Sequence, residues 1–276
     1  MINKKGGVVA NTIAVVLTVL MAFPVYWMVI SSFKPRADFF AETPKFVPIP
    51  GTLDNYRRVI EDKDFFNYAK NSVMVTIVVV ALSMIVAFVA ATAVARFNFG
   101  GRKAYIVMLL AVQMVPFEAL LISMYWMLEG LGQVNKLTGV MVAYLAFVLP
   151  FTIWTLRGFI ANVPKDLEEA AMIDGCSQGQ AFRKILFPLI APGLVSTSVF
   201  AFIMAWNEFI LANVILLDQA KQTLPVWLTS FQGGMKEIDW GGLMAGSVMF
   251  ALPVIIFFVI VQGRIQRDAL AGGVKG

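Results

Sequence analysis

The chain has 276 residues, 59% of them hydrophobic and 14% charged, where a soluble domain has roughly 45–50% and about 25%. Its 22 Lys and Arg and 17 Asp and Glu are too few polar groups to cover a water-soluble globule of this size. The composition therefore excludes a soluble enzyme and points to an all-α, polytopic membrane protein. With no His and one Cys, Cys176, His-based triads, His zinc sites, haem His ligands and intrachain disulfides are excluded, and no metal site is expected. The net charge of +5 is spread in small groups. On such a chain it reads as a topology signal rather than a nucleic-acid footprint.

A spanning helix needs about 20 predominantly apolar residues. In chain order, the charge-poor stretches predict six spans within one domain, 1–276. The first covers 8–32 and reads as a span rather than a cleavable signal, because its apolar core exceeds the usual run of about 7–15 residues. An outer loop, 33–70, follows with Pro44, Pro48 and Pro50. Thr52 to Ile60 reads there either as a short amphipathic helix on the membrane surface or as plain solvated loop. Phe65, Phe66 and Tyr68 are expected as interface anchors before Asn71-Ser72 open the second span, 71–95. The third span, 104–128, holds Pro116, where a kink is expected. The fourth covers 137–156. Pro188 and Pro192-Gly193 are expected to divide the next long apolar stretch, leaving a fifth span at 194–217. The sixth covers 241–263. Six spans put both termini on one side. Outside the 33–70 loop, the inner segments then hold 12 Lys and Arg and the outer segments 3, which places both termini in the cytoplasm.

The elbow at 162–188 is the most informative stretch. Pro164 suits a first helical turn, and Asp166, Glu168 and Glu169 complement the helix dipole. Leu167, Ala170 and Ala171 form a small apolar face, and Gly175 is the expected stop. Ser177 with Gln180 forms a capping box that starts a second helix running toward Pro188. Such an elbow is either a knob for a partner's groove or a plain solvated helical hairpin.

The run Glu169-Ala170-Ala171, then Gly175, Ile185 and Pro188 resembles the EAA signature of the permeases of binding-protein-dependent ABC importers. The family spacing is kept throughout, with Phe187 where Leu is usual. Ser32-Phe33-Lys34-Pro35, Asn55-Tyr56, Asn71-Ser72, Trp206-Asn207, Asp239-Trp240-Gly241 and the terminal Gly272-Gly273-Val274-Lys275-Gly276 extend the likeness, which is greatest to the smaller permease of maltose-type carbohydrate importers. The resemblance implies a type I ABC importer permease fold in a bacterial cytoplasmic (inner) membrane. Its first elbow helix would be a coupling helix, with Glu168, Glu169, Ala170, Ala171, Asp174, Gly175, Ile185 and Pro188 at the contact with an ATPase. It further implies a second permease subunit, two copies of a cytoplasmic ATPase and an extracytoplasmic solute-binding protein. The C-terminal residues Gly272, Gly273 and Lys275 would reach the ATPase, and the 218–240 loop the binding protein. The implied cargo is a di- or oligosaccharide, or within the same family a glycerol phosphate or polyol. The chain itself has no Lys after a Gly, so it lacks the phosphate loop. It is expected to carry no cofactor and no catalysis, with ATP and Mg on the partner ATPase.

Glu118 and Glu208 lie within predicted spans, each costing about 3 kcal/mol at a helix centre if unpaired. Gln113, Glu118, Trp206, Asn207 and Glu208 are candidates for a translocation path, since amides and carboxylates bond sugar hydroxyls and aromatic faces stack on sugar rings. The same residues could instead make interhelical hydrogen bonds. An ion-coupled secondary transporter is the rival class; six spans, no visible inverted repeat and a complete elbow argue against it.

Overall fold

The structure is a computed structural model. It describes the backbone of residues 4–233 and 238–272 and the side chains of 9–233 and 238–261. Among the described residues there are helices and turns and no strand. Five helical stretches are long and apolar enough to cross a membrane, or six when one bent pair is counted as a span.

Helix α1 runs Lys4–Ser32, α2 Asp54–Glu61, α3 Phe65–Arg96, α4 Arg102–Met114, α5 Leu121–Gly130, α6 Leu137–Ala161, α7 Asp166–Ile173, α8 Gln178–Ala181, α9 Phe187–Trp206, α10 Ile210–Ile215, α11 Leu224–Leu228 and α12 Trp240–Gly272. Where the sequence reads as one domain, the contacts divide it into two compact units. One comprises Met1–Phe66 and Trp227–Pro253, the other Asn67–Val226 and Val254–Gly276.

In the first unit, α1 exposes every side chain from 9 to 26. The short helix over the expected amphipathic segment is α2, with Asn55 and Val59 buried. Asn55 organises the unit. Its amide donates to the carbonyls of Ser32 and Lys34 at 2.8 and 2.9 Å, the carbonyls left over where α1 ends. Its oxygen accepts from Arg58 at 2.6 Å, Arg58 pairs with Asp239 at 2.9 Å, and Asp239 Oδ1 accepts the Gly242 N–H at 3.0 Å. Gly241 has no side chain for a packing reason: a Cβ there would collide with the Asn55 amide. Phe65, expected as an interface anchor ahead of the second span, is the first residue of α3. It is buried, with its ring 5.3 Å from Trp227, whose indole donates to Asp62 at 3.0 Å.

In the second unit, α6 is the central helix. Val140, Tyr144, Val148, Ile153, Leu156 and Ile160 are buried along it at three-, four- and five-residue spacings, which gather them on one side of the helix. Its most extensive partner is α9. Asn71 and Ser72 do not open the span but lie inside α3. There Asn71 donates to the carbonyls of Ala220 and Gln222, and Ser72 Oγ accepts the Leu224 N–H at 2.7 Å.

Two chain breaks differ from expectation. The third span does not run as one helix with a kink. Val115 and Pro116 are extended, and the two halves bend by 92°, because the residue before a proline avoids the helical region and proline brings no N–H. The fifth span is not divided at Pro188 or Pro192-Gly193. Helix α8 continues into α9 through a π-helical turn at Phe182–Leu186, which sets Pro188 in the first turn of α9. Gly193 instead lets α9 approach α6, since a Cβ there would collide with the Phe159 ring. The break falls later, at Asn207–Phe209, before α10.

Candidate functional site: the elbow and the polar residues of the spans

The elbow is built from local signals. At the end of α7 the Cys176 N–H reaches the Ala171 carbonyl at 2.9 Å and the Gly175 N–H reaches Met172 at 3.1 Å, the Schellman pattern. Gly175 takes φ +92° and has open space around it, so backbone conformation and not crowding is what calls for glycine. The capping box is present: Ser177 Oγ accepts from Gln180 and the Gln180 side chain accepts the Ser177 N–H.

One face of α7 is fastened. Glu168 pairs with Arg96 at 2.7 Å, with side chains 17% and 9% exposed, and Ala171 beside it is buried. Arg96 also donates to the Val163 carbonyl at 3.1 Å, and Lys165 donates to the Arg96 carbonyl at 3.4 Å. The opposite face is open. Glu169, Ala170, Asp174 and Gly175 are exposed, as are Leu167, Met172 and, at 86%, Ile173. The Leu167–Ala170–Ala171 face is therefore split, with Ala171 inward and the other two outward. Ile185 is half-buried and Pro188 exposed. Sequence reasoning missed Arg96, Met172 and Ile173. Met172 and Ile173 recur with Glu169 at i+3 and i+4, a signal that was available. Arg96 lies 72 positions before Glu168 and carried none.

The five polar candidates of the spans do not converge. Gln113 donates to the Leu109 carbonyl at 3.1 Å and lines an otherwise apolar cavity of about 340 Å³ with Phe117, Met124, Phe147, Phe151 and Met204. Glu118 is exposed in the 3₁₀ turn after Pro116, and Asn207 is exposed at the break before α10. Trp206 is buried and stacks on Phe202 with ring centroids 5.6 Å apart. The Glu208 carboxylate accepts the N–H groups of Leu211 and Ala212 at 2.7 and 3.3 Å, so it caps α10, while its own carbonyl accepts from the Tyr144 hydroxyl at 3.0 Å. Gly273 and Lys275 lie outside the described residues, and Gly272 closes α12. Among the described residues no group of His, Cys, Asp and Glu is arranged to hold a metal ion.

Residues 83–270 match the family described as binding-protein-dependent transport system inner membrane component. The chain is 44% identical over 271 residues to the diacetylchitobiose uptake system permease protein of Streptomyces coelicolor, covering 98% of each. It is 36% identical over 270 residues to the trehalose/maltose transport system permease protein of Thermococcus litoralis, covering 95% of each. Its fold matches a chain of a bacterial ABC transporter involved in the import of the acidic polysaccharide alginate, with a TM-score of 0.79 at 22% identity over 94% of this chain and 96% of that one. A second matching structure, with a TM-score of 0.68 at 12% identity over 96% of each chain, is the alginate transporter in complex with alginate pentasaccharide-bound periplasmic protein. An elbow that keeps the EAA spacing, on a helical membrane fold shared with these transporters, belongs to a permease of the binding-protein-dependent ABC importers, and this chain is a member of that family.

Proposed function

We propose that this permease forms one half of the translocation path for a di- or oligosaccharide. Energy would come from a separate ATPase docked on the elbow. The observation that carries the reading is the two-sided α7. Glu168 and Ala171 fasten it to its own bundle, while Glu169, Ala170, Met172, Ile173 and Gly175 stay uncovered. Small and apolar side chains flanked by acids suit a groove on another subunit. The pinned face would carry the groove's movement through Arg96 into α3, and the π-turn at Ile185 would carry it into α9. ATP and Mg belong to that ATPase, two copies of which would serve this chain and a second permease. Both termini and the elbow then face the cytoplasm, with Gly272, Gly273 and Lys275 beside the ATPase.

The sugar assignment is supported by the relatives, whose names specify diacetylchitobiose and trehalose/maltose. A solute-binding protein on the outer side would deliver it. Within this chain, the exposed Glu118 and Asn207, and Gln113 beyond its bond to Leu109, are placed to meet a sugar or the partner permease, and Trp206 and Glu208 hold α9 and α10 in place behind them. The test is ATP-dependent sugar uptake into vesicles carrying the assembled transporter. Glu169→Lys and Gly175→Trp should each abolish uptake while the chain inserts and assembles normally. Normal uptake in both variants would sink the coupling assignment.

A further inference from the structure

The end of the first span carries a pocket that coupling and translocation leave unused. It lies within the first unit, where the last turns of α1 meet the 33–45 loop and the start of α12. Its volume is about 260 Å³, and Trp27, Ser31, Lys34, Asp38, Lys45 and Trp240 line it. Lys34 is only 3% exposed. Its ammonium lies 3.8 Å above the centre of the Trp27 ring, and among the described residues it forms no ion pair. A π face attracts the charge but offers no oxygen to the three N–H donors. The Asp38 side chain is 10% exposed, and its Oδ1 takes the Lys45 ammonium at 2.6 Å. Its Oδ2 is buried with no hydrogen-bond partner. The pocket thus holds a cation with no oxygen in hydrogen-bond contact and a buried carboxylate oxygen without a donor, and each is costly unless something answers it. Burial pushes the Lys34 ammonium down from the ordinary lysine range, and Asp38 offsets only part of that.

The position of the pocket narrows what would answer both. Trp27 lies in the last turns of one span and Trp240 is the first residue of another. Indoles at span ends mark the headgroup level of a bilayer. Below the pocket, the Trp27 side of α1 continues as an uncovered apolar surface that includes Val16, Leu20 and Phe23. A free zwitterion would use the charges and leave that surface bare.

We propose that this pocket binds the zwitterionic headgroup of a membrane phospholipid, its phosphate at Lys34, its primary ammonium at Asp38 Oδ2, and its acyl chains along α1. The charge pattern distinguishes among lipids. An anionic headgroup satisfies Lys34 but meets the unpartnered carboxylate oxygen without a cation to offer it.

The experiment is native mass spectrometry on the assembled transporter, stripped of lipid in detergent and titrated with phosphatidylethanolamine, phosphatidylglycerol or free phosphoethanolamine. The expected result is a retained phosphatidylethanolamine on this chain, held about tenfold more tightly than phosphatidylglycerol, with free phosphoethanolamine far weaker than either. Lys34→Gln should weaken retention of both lipids about tenfold, and Lys34→Arg should restore it. Asp38→Asn keeps the cation and should bring the two lipids within about twofold of each other. Thermal unfolding in lipid-free detergent should match the parent for both Lys34 variants, which separates a lost site from a lost fold; Asp38→Asn also gives up the Lys45 pair and is read as a ratio between two lipids on the same variant, which a uniform loss of fold does not move. Equal retention by the parent and Lys34→Gln would overturn the proposal. So would an unchanged lipid preference in Asp38→Asn, free phosphoethanolamine bound as well as the lipid, or cross-linking of position 34 to another subunit with no lipid retained.

Discussion

The Asn55 hub and the α7 elbow are made from similar parts and end in opposite conditions. Each uses a half- or fully buried polar side chain to capture backbone and charge from a distant segment. In the hub the groups close on one another. Asn55 answers two carbonyls at the end of α1, Arg58 answers Asn55 and Asp239, and Asp239 answers the first turn of α12. In the elbow the inner face is answered by Arg96, and the outer face keeps acids, a methionine and an isoleucine in the open. A region whose polar groups are all spent internally is structural. One that exposes a fixed, preorganised mixture of small, apolar and acidic groups is made for contact, because its shape is settled before the partner arrives.

That contrast can be broken or sharpened in order of effect. Arg96→Ala leaves the mostly buried Glu168 carboxylate without its cation. It should cost about 3 kcal/mol by unfolding in detergent, with much of the loss recovered in the Arg96→Ala/Glu168→Ala double variant. In the hub, Gly241→Ala drives a methyl into the Asn55 amide and should cost about 2 kcal/mol by the same measurement. Glu208→Ala removes the cap of α10 and should cost about 1 kcal/mol. Gly175→Ala meets no atom but must hold a positive φ, so about 1 kcal/mol is expected, read most directly as faster proteolysis at the elbow. Gly175→Asn should be milder, since asparagine tolerates that conformation. Ile173→Asp is the sharpest separation of the two regions. At an exposed site it should shift stability by less than about 0.5 kcal/mol, yet uptake should fall to background. Unimpaired uptake in Ile173→Asp would return the elbow to the same class as the hub.

The elbow's own form was legible because its signals are local. Gly175 five residues after Ala170, and Ser177 three before Gln180, are caps that work whatever surrounds them. The apolar stretches were legible for the same reason, since transfer into hydrocarbon depends on a segment's own composition. Local rules misled where a neighbour could override them. Pro188 and Pro192-Gly193 read as a helix break, but a π-turn admits the first proline and Phe159 of α6 makes use of the glycine. Asn71-Ser72 read as a helix start, yet they lie within α3 and hold the 220–224 segment.

By itself, then, the amino-acid order determined an all-α membrane chain, apolar stretches long enough to cross a bilayer, and an elbow with its caps. Each of these follows from residues within a few turns of one another. Only the tertiary structure decided that Arg96 holds Glu168, that Asn55 ties α1 through Arg58 to Asp239, and that Asn71 and Ser72 hold the 220–224 segment. Those outcomes depend on which groups meet across dozens of residues. A buried charge or carbonyl takes whichever partner the packing brings within about 3 Å, and sequence spacing carries no record of that choice.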